Sequence, residues 1–148
     1  MPARRKFWCF VISALLIGLV GVTGHAVEPQ AVVVAVNPKV VIETLSRNEL
    51  RAIFAMRRRV WPDGTPIRVF VLPDDHLLHL IFCKKILRVY PYQLRRLWDR
   101  NVFSGTGPAP VEVATLHEMH DRIGKVAGAI GYLSPAWIDD RIKTVGIR

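Results

Sequence analysis

The chain has 148 residues, 51% of them hydrophobic, with 21 Lys and Arg against 12 Asp and Glu, a formal net charge of +9 and two cysteines. That length fits one domain of ordinary size, and the apolar fraction excludes a disordered tail, because enough surface can be buried to offset the entropy of ordering the chain. Two cysteines exclude a disulfide scaffold.

Arg4, Arg5 and Lys6 precede an uncharged apolar run from Phe7 to Val22, and Gly24-His25-Ala26 puts small residues where a signal peptidase reads. This order predicts a secretory leader over residues 1–26 and a mature, periplasmic domain over 27–148. The run of 16 residues falls short of the roughly 20 that span a bilayer, so no stable membrane anchor is expected after cleavage. Arg4-Arg5-Lys6-Phe7 also offers a twin-arginine core, but the greasy run favours the general secretory route. Cys9 leaves with the leader. Cys83 stays, in an apolar helical context that suits a buried, inert thiol, with an exposed or pairing thiol as the alternative. The mature chain keeps 18 basic residues against 12 acidic ones, a net charge of +6. An exported protein rarely meets nucleic acid, so the surplus points to phosphate-bearing lipids, cell-wall polymers, an anionic solute or an acidic partner, or else serves solubility.

Ala31-Val-Val-Val-Ala-Val-Asn37 is a continuous β-branched run, as expected of a central strand buried on both faces. Ser46-Arg-Asn-Glu49 is a capping box opening a helix over about 47–57, with Leu50, Ile53 and Phe54 inward. Trp61-Pro-Asp-Gly-Thr-Pro66 is dense in turn formers and leads into a second strand, Ile67–Leu72. Pro73-Asp74-Asp75 predicts a turn and an N-cap for a helix with Leu77, Leu78, Ile81, Phe82 and Ile86 inward. Pro91 suits the first turn of a further helix, with Leu94, Leu97 and Trp98 inward and Arg95, Arg96 and Arg100 outward. Phe103–Pro110 reads as a loop. Thr115-Leu-His-Glu118 is a second capping box, and its helix runs through Met119, Ile123 and Val126 to end near Gly128. Short strands at 129–133 and 142–147 close an α/β or α+β order, helices packed on a mixed sheet, with no internal repeat.

Three strings, Leu45-Ser-Arg-Asn-Glu-Leu-Arg-Ala-Ile-Phe54, Trp61-Pro-Asp-Gly-Thr-Pro-Ile67 and Gly128-Ala-Ile-Gly-Tyr132, resemble strings in the phosphate-binding proteins of bacterial phosphate ABC transporters, members of the type 2 periplasmic binding protein superfamily. The resemblance runs from about Val32 to about Val145. It implies export, an α/β lobe with a mixed sheet flanked by helices, and oxyanion binding at helix N-termini, where free amides and the helix dipole favour negative charge. A complete member has two lobes that close on the solute, whereas the 122 residues after Ala26 suffice for about one. The family's Ser-Gly-Thr-rich phosphate loop follows the strand after Trp-x-Asp-Gly, where this chain has Pro73-Asp74-Asp75-His76-Leu77-Leu78. Aspartates there repel phosphate unless they accept a proton from a protonated phosphate oxygen.

The candidate oxyanion ligands are Ser46, at a helix start, and Ser104-Gly105-Thr106, a loop with hydroxyls and amides, with Arg58 and His76 as charge partners. Each has a structural alternative, in a helix cap, a tight path before Pro108 and Pro110, or a solvated helix end. Lys84, Lys85, Arg88, Arg95, Arg96 and Arg100 form a basic belt over two helices, suited to lipid headgroups, an acidic partner or plain solvation. His76/His79 and His117/His120 are pairs one turn apart, but the usual zinc patterns are missing and neither a metal nor a cofactor is expected. Trp61, Trp98, Tyr90, Tyr92, Tyr132 and Trp137 are expected to fill the core. No nucleophile elbow, P-loop or His-Glu-x-x-His motif is present, so the chain reads as a noncatalytic solute-binding-like protein. Its expected partners are phosphate or a related oxyanion and an inner-membrane ABC transporter or envelope sensor. The alternative is a single-lobe interaction module that has lost solute binding and docks such a partner.

Overall fold

The β-branched run after residue 31 forms the strand around which the rest is laid. The structure, a computed structural model, describes residues 31–148, so the leader expected over 1–26 and Cys9 lie outside the described residues. Strand β1 (Val33–Val36) is followed by β2 (Thr44–Leu45), α1 (Arg47–Phe54), β3 (Arg68–Val71), α2 (Leu77–Ile81), a π-helical segment (Phe82–Leu87), α3 (Pro91–Phe103), β4 (Val111–Glu112), α4 (Leu116–Lys125), β5 (Ala129–Leu133), a 3₁₀ turn (Pro135–Trp137) and β6 (Lys143–Ile147). The strands form one six-stranded mixed sheet in the order β2-β6-β1-β5-β3-β4. This is the α/β arrangement expected.

β2 is parallel to β6, β3 is parallel to β4 and β5, and β1 is antiparallel to both β5 and β6. Five strands therefore point one way and β1 alone opposes them. Their carboxyl ends share one edge of the sheet, here the carboxyl edge, and their starts share the other, the amino edge. β1 is central and Val34, Ala35 and Val36 are buried, because helices cover both faces. Tyr132 of β5 turns toward Phe54 of α1 and Phe82 of the π-helical segment, its ring stacked on Phe82 at 4.0 Å. Its neighbour Gly131 faces α4 on the opposite side, where a Cβ would lie 2.6 Å from Met119 Sδ and 2.9 Å from Ile123 Cδ1. A larger residue here would have to displace the ends of both side chains.

Two of the three strings that carry the family resemblance, Trp61–Ile67 and Gly128–Tyr132, are fastened to each other at the amino edge. Gly64 takes the positive φ the Trp61 turn requires, and Asp63 Oδ1 accepts from Thr65 N at 2.9 Å. The buried Trp61 indole donates to Gly128 O at 3.0 Å. Gly128 itself has φ +72°, and a Cβ there would lie 2.2 Å from Pro66 O. Beside it, buried Asn37 donates to Ile123 O and Gly124 O, carbonyls from the last turn of α4, at 2.9 and 3.0 Å.

Several local expectations are corrected. α1 ends at Phe54 rather than near 57 because Met56 turns into the left-handed region at φ 60°, a stop that no glycine announces. The helix after β3 is capped by His76, not by Asp74 or Asp75. It widens into π geometry at Phe82, and the extra residue per turn changes which side chains face inward. Leu77, expected inside, is half exposed, while His79, Cys83 and Leu87 are buried. Tyr90 and Tyr92, expected in the core, are exposed, and Trp137 is half-buried. β2 and β4, two residues each, were too short for any pattern to reveal. Among the described residues no helix is long and apolar enough to cross a membrane.

Candidate functional site

In an open α/β sheet the ligand crevice lies outside the carboxyl ends of the strands. Here α1 starts at that edge after β2, α2 after β3 and α4 after β4, so Ser46, His76 and Thr115 are gathered along it. Helix starts present amides and the positive end of the dipole.

At α1 the capping box closes as its spacing predicts. Ser46 Oγ accepts from Glu49 N at 3.2 Å, and Glu49 Oε2 accepts from both Ser46 N and Ser46 Oγ at 2.8 Å. Arg58, beyond the far end of the helix, reaches back to Glu49 Oε1 at 3.2 Å, and Arg148 stands 3.5 Å from Oε2. The hydrogen bonds from Ser46, backbone first, then the cations, hold the Glu49 carboxyl down at about 2. Ser46 and Arg58 are thus brought together, with an ionised carboxylate between them. At α4 Thr115 caps Glu118 N at 3.1 Å, but Glu118 Oε2 accepts from Ala114 N rather than Thr115 N, so the second capping box closes only by half.

Between them, the turn after β3 feeds a line of polar groups running from the core to the surface. Tyr132 Oη accepts from Leu72 N at 2.8 Å and contacts His79 Nδ1. With its acceptor role taken by the amide, the phenol donates to Nδ1, which places the His79 proton on Nε2, 3.6 Å from Asp74 Oδ1 and 3.5 Å from Cys83 Sγ. Burial pushes the His79 pKa down against the pull of Asp74, so the imidazole is neutral and this is no ion pair at neutral pH. Burial raises the Tyr132 phenol and pushes the Cys83 thiol up to about 12, so the cysteine is inert. Asp74 is clamped by both arms of Arg95 at 2.9 Å, and Arg95 also donates to Glu112 Oε2 at 2.8 Å. Arg95, expected to point outward, is instead the tie between α3, the turn after β3 and β4. Asp74 occupies the stretch where the resemblance expects a Ser-Gly-Thr loop, and it meets a guanidinium from its own chain. His76 Nδ1 accepts from Leu78 N at 3.1 Å.

Ser104, Gly105 and Thr106 lie elsewhere. They follow α3 and precede β4, which places them at the amino edge. Their amides donate to Arg100 O, Val102 O and Asn101 O, and the two hydroxyls bond each other at 2.8 Å. This is a helix C-terminus, the negative end of the dipole, with its donors turned back onto the helix. The six candidate residues therefore divide into Ser46, Arg58 and His76 at one edge and the Ser104 loop at the other. The histidine pairs divide as well, since His79 is bonded in the core beside Tyr132 while His120, on α4 across the sheet, lies 3.1 Å from Asp139. Among the described residues no group of three or more His, Cys, Asp or Glu could hold a metal ion.

No protein-family model matches the chain, and no curated protein matches it in sequence. Among solved structures it is similar to a putative phosphate ABC transporter substrate-binding protein with bound phosphate from Clostridium perfringens, at 15% identity and TM-score 0.64, over 78% of this chain and 44% of that one. It is also similar to PstS from Borrelia burgdorferi, at 11% identity and TM-score 0.63, over 80% and 47%. A possible phosphate binding protein from Planctomyces limnophilus matches at 16% and 0.53, over 79% and 41%. The chain has the fold of these proteins and spans less than half the length of each.

Proposed function

We propose that the chain is an exported, noncatalytic binding lobe, residues 27–148, that takes phosphate or a related oxyanion at the carboxyl edge of its sheet and serves uptake or sensing in the periplasm. The observation that carries this reading is the likeness of fold to a receptor with bound phosphate, combined with the meeting of Ser46 and Arg58 at a helix start on that edge. Arg58 supplies charge, and Ser46, whose hydroxyl donates to Glu49 Oε2, holds the carboxylate in place and can turn that proton to an anion only by giving up this bond. Glu49 then selects the ligand: phosphate at neutral pH still carries a proton to donate to that carboxylate, whereas fully ionised sulfate does not. His76 caps α2 after β3, with three strands lying between β3 and β2, so Ser46 and Arg58 form the pair without it. The implied protein partner is an inner-membrane ABC transporter or an envelope sensor.

Calorimetric titration of residues 27–148 at low salt, with phosphate and then sulfate, tests the reading. Saturable phosphate heat that exceeds the sulfate heat and is lost in Arg58→Ala supports it. A folded protein that takes up neither anion overturns it. Ser104→Ala combined with Thr106→Ala should leave the titration unchanged, since that loop lies at the other edge. A second reading, a lobe that has lost its solute and works by docking a partner, is favoured by one observation: Glu49 and Glu118 already fill the starts of α1 and α4. It follows if phosphate fails.

A further inference from the structure

The helices α1 and α3 and the π-helical segment share one face of the sheet, and the charge on their outer side is segregated. Between His76 and Val111 the chain carries Lys84, Lys85, Arg88, Arg95, Arg96 and Arg100 against a single acidic residue, Asp99. Arg95 is consumed by Asp74 and Glu112. The other five cations form no ion pair among the described residues, as is true also of Lys39, Arg47, Arg51, Arg57, Arg59 and Arg68, whereas Arg58, Arg122, Lys125, Arg141 and Lys143 are paired. In the middle of this face Tyr90 and Tyr92 stand 54% and 53% exposed, stacked on each other with centroids 5.7 Å apart. Lys84 Nζ lies 5.6 Å from the Tyr90 ring and Arg96 Cζ 5.5 Å from the Tyr92 ring. Rings held in place by cations lose little freedom on binding, which suits them as anchors.

Beside the tyrosines the surface is concave. A groove of about 420 Å³ between α1 and α3 has Ala52, Ala55, Val89, Leu94 and Leu97 along it and Arg57 at its rim. A second of about 420 Å³, lined by Tyr92, Arg96 and Arg100, shares Gln93 and Leu97 with the first. Together they form a track with an apolar floor and cationic walls. A bilayer takes up apolar side chains that project into it, whereas here the apolar groups line a recess. A polypeptide that alternates carboxylates with apolar side chains matches both parts.

We propose that this α1–α3 face docks an acidic polypeptide segment, its apolar side chains seated between Ala52, Val89 and Leu97 and its carboxylates on Arg57, Arg96 and Arg100, with Tyr92 as the central anchor. The proposal does not rest on oxyanion binding: the track lies on the outer side of the helices, its α1 end reaching Asn48 in the first turn, and none of Arg57, Tyr92, Arg96 and Arg100 is an oxyanion candidate.

The test uses the protein purified from the envelope fraction after export. The probes are a fluorescent glutamate-rich peptide with leucine at every third or fourth position, the same peptide with serine for leucine, and vesicles of phosphatidylglycerol. The leucine peptide should bind saturably and more tightly than the serine peptide. Arg96→Glu with Arg100→Glu should weaken it by at least about tenfold, Tyr92→Ser should weaken it without altering net charge, and Arg122→Glu on α4 should leave it unchanged. All three variants alter exposed side chains, and thermal melts verify that they fold. Absence of peptide binding, equal binding of the serine peptide, an equal loss in Arg122→Glu, or vesicle binding without peptide binding would each overturn the proposal.

Discussion

The two edges of the sheet are built by different means. At the amino edge, side chains are bonded to backbone: Trp61 to Gly128 O, Asn37 to the last carbonyls of α4, and Gly128 pressed against Pro66 O. At the carboxyl edge, side chains cap only their own helix starts, and the ties between distant segments are side chain to side chain: Glu49 to Arg58, Asp74 to Arg95 and Arg95 to Glu112. Backbone contacts constrain the fold and tolerate few residue types. Half-exposed ion pairs constrain it weakly and can be exchanged. The amino edge therefore holds the fold, and the carboxyl edge is where chemistry can vary without loss of the lobe.

The largest expected effect is at Gly128. An alanine there must adopt φ +72° and place its Cβ 2.2 Å from a backbone oxygen that has no rotamer to escape into. Left-handed strain and overpacking together should cost about 2–5 kcal/mol. Gly128→Ala should yield little soluble folded protein, and an unchanged melting curve would remove the distinction between the edges. Next is Trp61→Phe, which removes one of the two donors to Gly128 O, the other being Arg68 N at 3.1 Å, and opens space where the larger indole packed. Urea unfolding should show a loss of about 1–3 kcal/mol with an unchanged slope.

Below the carboxyl edge, Tyr132→Phe strands Leu72 N and His79 Nδ1 together, at a cost of about 1–3 kcal/mol. The same cluster sets a pH dependence. Burial lowers the His79 pKa below its ordinary value of 6.5, so the folded state favours neutral imidazole while the unfolded chain takes up a proton below that value. Stability is thus fully present above pH 6.5 and falls as the solution is acidified from there. A urea midpoint flat between pH 7 and 5 would show that His79 is not buried neutral.

What could be read in the sequence follows the same division. The Trp61 turn, Gly128-Ala-Ile-Gly-Tyr132 and the β1 run were legible because each residue in them answers a backbone requirement, a positive φ, a close approach or a strand covered on both faces. The oxyanion candidates were less legible. Hydroxyls and amides look alike in sequence whether they open a helix, as at Ser46, or close one, as at Ser104. The Arg95 ties to Asp74 and Glu112 join residues 21 and 17 positions apart, and no local pattern announces them. The π turn after Ile81 left the apolar spacing intact while changing which side chains point inward.

The smallest effect on stability, and the sharpest test of the comparison, is Glu49→Gln. A glutamine can still accept from Ser46 N, so the cap survives and only its charge is lost, at a cost below about 1 kcal/mol. The sign with pH is fixed: the carboxyl lies at about 2 in the folded chain against 4.5 ordinarily, so its stabilisation is present above 4.5 and disappears as pH falls toward 2. The wild type should lose stability through that window more steeply than Glu49→Gln. The same variant acts on the ligand. If Glu49 accepts the phosphate proton, removing its charge should weaken phosphate relative to sulfate and narrow the gap between the two anions in calorimetry. If Glu49 merely occupies the anion's place, the variant should bind both anions more tightly. An edge whose carboxylate can be neutralised with small loss of stability, yet with a change in which anion it accepts, is one that holds a site on a lobe secured from the opposite side.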